Sequence, residues 1–298
     1  MKRQKFACGN TQLELYTWDD VKDAKGVVKI THGMAEHSAR YDDFARFLNA
    51  NGYIAVMNDL RGHGMTAQPD SLGYADGDMF ADNVKDQLEI VDYCNRTYKL
   101  PVFLMGHSYG SFVTQRVIQH DPDVKGYILS GSNYIKGLQY DLCGLIAKRM
   151  AEKKSGAFPA ETIARLSFSK YDKKFGGKNN WLSSDAGQVE KYNNDPMCGF
   201  VCSANFYKTF MRGIKPLYDK KEFDDSAFHK PLFILSGQQD PVGEFGKGVT
   251  KLYEFYLRIG FDCVTLRLYP EGRHEMLNEV NKEQVYLDIL QWLNGNVG

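Results

Sequence analysis

The stretch FLMGHSYGSF, residues 103–112, holds Ser108 between Gly106 and Gly110. A serine so placed can start a helix as an N-cap, or its hydroxyl can attack an electrophilic carbon. The apolar run VFLM ends just before it and SYGSFVTQRVIQH has helical periodicity, so Ser108 falls on a strand-to-helix turn. A tight turn of that kind lifts the hydroxyl beyond the end of the sheet, and glycines on both sides permit close approach of strand and helix. A Gly-x-Ser-x-Gly match also arises by chance, so the reading depends on finding partners for the serine.

An attacking serine needs a base to take its proton, and the base needs an acid to orient it. Asp240 lies in QQDPVG after the apolar run PLFILSG (231–237), and His274 lies in EGRHEM after CVTLRLYP. Both fall just past the carboxyl ends of strands, where open α/β sheets collect their ligand sites. The other histidines fit the base position less well: His32, His37, His63, His107 and His120 precede or crowd the serine, and His229 precedes its strand. The charge that develops on a reacting carbonyl oxygen needs N–H donors, usually two from the backbone. THGMAEH follows a buried strand, and the N–H groups of Met34 and Tyr109 are the candidates.

These residues must be carried by elements that bring them to one place. LELYTW, GVVKITHG (26–33), YIAVMND, VFLM, GYILSG, PLFILSG and CVTLRLYP read as strands. Helical periodicity runs through YDDFARFLNANG, ADNVKDQLEIVDYCNRTY, FGKGVTKLYEFYLRIG and KEQVYLDILQWLNG. The alternation predicts an α/β protein with a mostly parallel central sheet flanked by helices on both faces. Residues 133–225 break the rhythm with several helical patterns and no convincing buried strand, which predicts a helical insertion into a core made of residues 1–132 and 226–298. Within the insertion Ile135, Leu138, Leu142, Leu145 and Ile146 form an apolar stripe. Such a stripe packs on the body, lines a tunnel, or lies weakly on a membrane.

The 298 residues carry 37 basic and 37 acidic side chains, so no global field recruits nucleic acid or an anionic membrane. The insertion is mildly basic, at +5, over a mildly acidic remainder. Six cysteines stand without a Cys-x-x-Cys pair or a zinc-like quartet, and read as reduced structural thiols with no metal. Polar residues interrupt the N-terminal stretch before a signal peptide could form, and no run is long enough to span a membrane, so a cytoplasmic protein is expected. The oligomeric state is not legible.

Six segments in order, HGMAEHSARYDDFARFL, NDLRGHGMT, GHSYG, NNDP, GQQDPV and GRHEMLNE, resemble the monoglyceride lipase and lysophospholipase branch of the α/β-hydrolases, which is grouped with the serine aminopeptidases. The likeness covers nearly the whole chain. It implies the α/β-hydrolase fold with an inserted helical cap, and a serine hydrolase that cleaves carboxylic esters of lipids through an acyl-enzyme, with no cofactor. By position Ser108 would be nucleophile, His274 base and then acid, Asp240 the orienting acid, and Met34 and Tyr109 the oxyanion donors. Family elbows often carry methionine and a further glycine where Tyr109 and Ser111 stand in this chain, which leaves the acyl preference open. Arg61 and His63 in LRGHG read as a structural turn. The small-molecule acyl ester shares the field with amide, thioester or aminopeptidase substrates. The last would need carboxylates over the pocket, with Glu152, Glu161, Asp172 and Glu190 as candidates. A non-catalytic binding protein on the same fold is the reading from another class.

Overall fold

Along the central strands successive side chains point to opposite faces, and both faces are apolar. Val27, Leu104, Leu129 and Ile234 join one core cluster, while Val28, Met105, Ile128 and Leu235 join the other. A strand that is apolar on both faces has to be covered on both, and that fixes a three-layer architecture. A computed structural model, which describes every residue except Asn10 and Pro69, shows how the layers are built.

Eight strands form one sheet in the order β1-β2-β4-β3-β5-β6-β7-β8. They are β1 (Lys2–Cys8), β2 (Thr11–Trp18), β3 (Gly26–Thr31), β4 (Tyr53–Asn58), β5 (Val102–His107), β6 (Gly126–Ser130), β7 (Leu232–Gly237) and β8 (Val264–Tyr269). From β4 to β8 all neighbours are parallel, while β1 and β2 join antiparallel. The sequence does not announce β1 because KRQKFAC has no buried alternation; its exposed outer half carries Arg3 and Lys5, both paired with Glu14 on β2. Such charge on an edge strand also discourages a further strand from adding there.

Helices α1 (Asp42–Ala50) and α9 (Lys282–Asn296) cover one face through Phe44, Leu48, Val285 and Ile289. Helices α2 (Met79–Tyr98), α3 (Tyr109–Ile118) and α8 (Lys247–Ile259) cover the other through Val84, Val91, Val113 and Leu252. Each fully buried side chain of this kind contributes about 1.5–3 kcal/mol. Between β6 and β7 the chain forms α4 (Leu138–Lys153), α5 (Glu161–Phe175), α6 (Ala186–Asn194) and α7 (Ala204–Gly213), with no strand among the described residues. Because β3, β5, β7 and β8 run parallel, the loops that leave their carboxyl ends all emerge at one end of the sheet.

Lys29 is a charged residue at a fully buried position of β3. Its amine donates to Thr31 Oγ1 and Asn58 Oδ1, each at 3.0 Å, and to Gln87 on α2. Burial lowers its pKa from 10.5 to about 7, against the opposing pull of Cys94 and Asp86. Between those values the unfolded chain holds a proton that the native chain has released, so this lysine's penalty is full below about pH 7 and lifts as pH rises toward 10.5. Urea unfolding of wild type and Lys29→Met between pH 6 and 9 should therefore show wild type gaining stability relative to the variant with rising pH. A constant difference would mean that Lys29 does not titrate in this range on folding.

Candidate active site

Ser108 sits at the Ncap position of α3 with φ 52° and ψ −121°, a strained backbone for a residue with a side chain. Strain of that kind costs on the order of 1–3 kcal/mol and persists only where the surroundings enforce it. The Ser108 N–H donates to the Ser130 carbonyl at 2.9 Å, and the Ser108 carbonyl accepts from the Ser111 N–H at 2.8 Å and from Ser111 Oγ at 2.6 Å. Ser111, one of the two departures from the family elbow, thus ties the turn from inside α3. Both flanking glycines are obligatory. A Cβ on Gly106 would lie 2.3 Å from Thr114 Oγ1, and one on Gly110 would lie 2.3 Å from the Thr31 carbonyl oxygen. The Ser108 side chain makes no capping bond to its helix.

Its hydroxyl turns instead to His274, with Oγ 2.8 Å from Nε2. On the far side of the ring Nδ1 lies 2.9 Å from Asp240 Oδ2. The Asp240 carboxylate is fully buried and also accepts from the Val242 N–H at 2.8 Å. A carboxylate can only accept there, so Nδ1 carries the proton and Nε2 presents its lone pair to the serine O–H. Burial disfavours the imidazolium, but the charge of Asp240 and its hydrogen bond, followed by Glu275 and Glu36, outweigh that and raise the His274 pKa above its ordinary value. The His274 ring lies 5.2 Å from that of Trp181, and its backbone N–H donates to the Trp181 carbonyl at 3.4 Å.

The loop after β3 passes directly beneath the serine: a Cβ on Gly33 would stand 3.1 Å from Ser108 Cβ. His32 Nε2 accepts from the Leu60 N–H at 2.9 Å, which leaves Nδ1 to donate to the Gly33 carbonyl at 2.8 Å. Burial lowers the His32 pKa, so the ring is neutral and keeps that tautomer. The Gly33 carbonyl and the Met34 N–H belong to one planar peptide, so His32 fixes the direction of both. Neither the Met34 N–H nor the Tyr109 N–H donates to an acceptor among the described residues. At the same level Arg40 bridges Glu36 (2.5 Å) and Glu275 (2.7 Å), and Glu36 Oε1 accepts from the Gly33 N–H at 2.6 Å. Burial opposes the charge on both carboxylates, yet Arg40 holds both below their ordinary range. Sequence reasoning missed this triplet, although the i, i+4 spacing of Glu36 and Arg40 in HGMAEHSARY was a signal for half of it.

Ser108, His274 and Tyr109 border a cavity of about 920 Å³. Its lining is mostly apolar, with Phe112, Ile146, Phe168, Phe210 and Met211, and includes the charged side chains of Glu36, Glu275, Arg165 and Lys170. The Tyr109 ring is buried 4.7 Å from Phe206, and its phenol oxygen accepts from Asn83 Nδ2 at 3.3 Å. The apolar stripe from Ile135 to Ile146 is divided: Ile135 and Ile146 pack against the core cluster. Ile135, Leu142 and Ile146 line the cavity, Leu138 is 86% exposed, and Leu145 is exposed too. Along the helix Tyr140, Cys143, Ile146 and Met150 face the core cluster, others face the cavity or the outside, and only Ala147 is fully buried. Of the acidic candidates from the insertion, Glu161 and Asp172 line the cavity and Glu152 and Glu190 do not. Arg61 is occupied by a bidentate pair with Asp86, at 2.7 and 2.8 Å. No helix among the described residues is long and apolar enough to cross a membrane.

The parallel sheet, the strained serine turn and a histidine and aspartate delivered from two later strand ends define an α/β-hydrolase. Comparison with known proteins agrees. The family profile described as serine aminopeptidase, S33, matches residues 22–281, and the chain belongs to that family, within its monoacylglycerol lipase and lysophospholipase branch. It is 33% identical over 275 residues to phospholipase YtpA of Bacillus subtilis, a match covering 91% of this chain and 96% of that one. It is 26% identical over 281 residues to the monoglyceride lipase of Homo sapiens, covering 93% and 85%. Among solved structures, a thermostable carboxyl esterase from Bacillus coagulans in complex with glycerol superposes with a TM-score of 0.88 at 23% identity, over 100% of this chain and 99% of that one.

The His274 environment has a direct spectroscopic consequence. Followed by NMR, the His274 ring should titrate above an ordinary histidine, and Asp240→Asn should bring it down. A wild-type ring titrating at or below the ordinary value would mean that burial, and not the Asp240 charge, governs this histidine.

Proposed function

We propose that this chain hydrolyses monoacylglycerols or lysophospholipid-like esters through an acyl-enzyme formed on Ser108. It is a carboxylic ester hydrolase; relatives named monoglyceride lipase and phospholipase support that class, and the finer assignment rests on the site. The observation that carries it is the unbroken relay at the foot of an apolar cavity, Ser108 Oγ to His274 Nε2 at 2.8 Å and His274 Nδ1 to Asp240 Oδ2 at 2.9 Å.

In this reading Ser108 Oγ attacks the ester carbonyl carbon while its proton passes to His274 Nε2. The carbonyl oxygen becomes an oxyanion and takes the free N–H groups of Met34 and Tyr109. Collapse of the tetrahedral intermediate breaks the bond to the alcohol oxygen, which leaves with the proton from His274. Water then gives a proton to the same nitrogen and attacks the acyl carbon, and the fatty acid departs as Ser108 regains its hydrogen. Asp240 keeps its charge throughout and stabilises the imidazolium between the two halves.

The helices over residues 133–225 act as a cap on a core of residues 1–132 and 226–298, and their apolar inner surface takes the acyl chain. A mostly apolar space with a few convergent polar groups is what a fatty acyl substrate requires. The exposed Leu138, Leu142, Leu145 and Leu166 make a weak peripheral membrane contact near the cavity mouth. An aminopeptidase would need a free carboxylate near the serine for the substrate's amine. Glu36 and Glu275 line the cavity but are held by Arg40, whereas Glu161 and Asp172 line it without a salt-bridge partner among the described residues, so aminoacyl substrates are the comparison to run.

The kcat/KM for glycerol monoesters should rise from short toward medium or long acyl chains and vanish in Ser108→Ala. It should also fall on acidification through the raised His274 pKa, because the protonated ring cannot accept the serine proton. Asp240→Asn should cost about 10⁴-fold in kcat. Activity that survives in Ser108→Ala, or turnover confined to aminoacyl substrates, would overturn the proposal.

A further inference from the structure

One short segment of the chain between β6 and β7 grips the loop that carries the Met34 N–H. Ala35 in that loop has φ 54°, a left-handed conformation that costs a residue with a side chain roughly 1–2 kcal/mol. Such a conformation persists only if its surroundings hold it. The Ala35 carbonyl accepts two hydrogen bonds, from the Tyr192 phenol at 2.9 Å and from the Gly199 N–H at 2.9 Å. Two residues on, His37 Nε2 meets Asp195 Oδ2 at 2.8 Å. The Arg40 guanidinium, already fixed by Glu36 and Glu275, lies over the Tyr192 ring at 4.8 Å. Residues 192–199 therefore touch the loop at Ala35, His37 and Arg40.

His32 fixes the Gly33–Met34 peptide from the sheet side, and among the described residues nothing equivalent on that side holds the Ala35 carbonyl. That role falls to the helical segment. Tyr192 is buried, and because burial disfavours the charged phenolate its pKa stands well above the ordinary phenol value, so the hydroxyl remains a donor at any working pH.

We propose that Tyr192 is a positioning residue for the hydrolysis. By donating to the Ala35 carbonyl it holds the left-handed turn that aims the Met34 N–H at the oxyanion, and it makes the donor geometry depend on where the helical segment sits. The inference rests on the assignment of Met34 as an oxyanion donor. Its expected signature is a loss of transition-state stabilisation without loss of ground-state binding.

Tyr192→Phe keeps the ring under Arg40 and removes only the hydroxyl. With p-nitrophenyl butyrate, which has no glycerol head for a phenol to contact, kcat should fall about ten-fold with KM changed less than two-fold. This is a fraction of the 10²–10³ lost when an oxyanion donor is removed outright. Affinity for an alkyl trifluoromethyl ketone, which forms the tetrahedral adduct, should fall by the same factor. Asp195→Asn, which leaves the Tyr192 bond in place, should give a smaller kcat loss of the same kind. An unchanged kcat and ketone affinity in Tyr192→Phe would overturn the proposal, as would a change confined to KM, which would mark Tyr192 as a substrate contact. Failure of the underlying reading looks different: wild type itself would show no Ser108-dependent turnover.

Discussion

The contact on which the arrangement depends is the approach of α3 to β3 at Gly110, where a methyl group would lie 2.3 Å from the Thr31 carbonyl oxygen and 2.4 Å from that of His32. Because nothing stands between them, the helix begins directly over the end of β3. That places Ser108 against Gly33 and brings the loop carrying Met34 under the hydroxyl. The same closeness compresses the turn and drives Ser108 to positive φ. Two glycines, one strained serine and one loop therefore form a unit in which no member is adjustable alone.

Around this unit the charges are arranged in compensating sets. Isolated buried ions are costly, and removing one partner of a buried pair typically costs about 3–5 kcal/mol. Arg40 serves Glu36 and Glu275 together, and Glu36 also accepts from the Gly33 N–H and the Tyr41 hydroxyl, so an electrostatic cluster doubles as a strut for the loop. His107, whose ring lies 4.9 Å from that of His274, has its pKa lowered to about 4 by burial and then by His274. It stays neutral, and His274 is the ring that Asp240 favours as a cation.

What is local and periodic was legible in the sequence. The buried strands β3 to β7, the elbow at Ser108 and the strand-end placement of Asp240 and His274 follow from apolar runs ending in glycine or turn residues. What escaped lies between distant segments. β1 has too little buried alternation to announce itself. Tyr192, Trp181 and Glu275 are ordinary residues in sequence, and their importance arises only when the helices after β6 fold back across the strand ends. The apolar stripe beginning at Ile135 was legible as a stripe with packing, tunnel lining and membrane contact all open, because periodicity reveals that one face is apolar and not what that face meets.

The central claim is that Ser108 becomes acylated on the way to products. Rapid-quench mass spectrometry of the enzyme turning over a medium-chain p-nitrophenyl ester tests it most directly. The expected result is one acyl group, located on the peptide bearing Ser108, that forms with the burst of p-nitrophenol and decays as the fatty acid appears. Turnover with no covalent acyl enzyme, or an acyl group on any other residue, would contradict it.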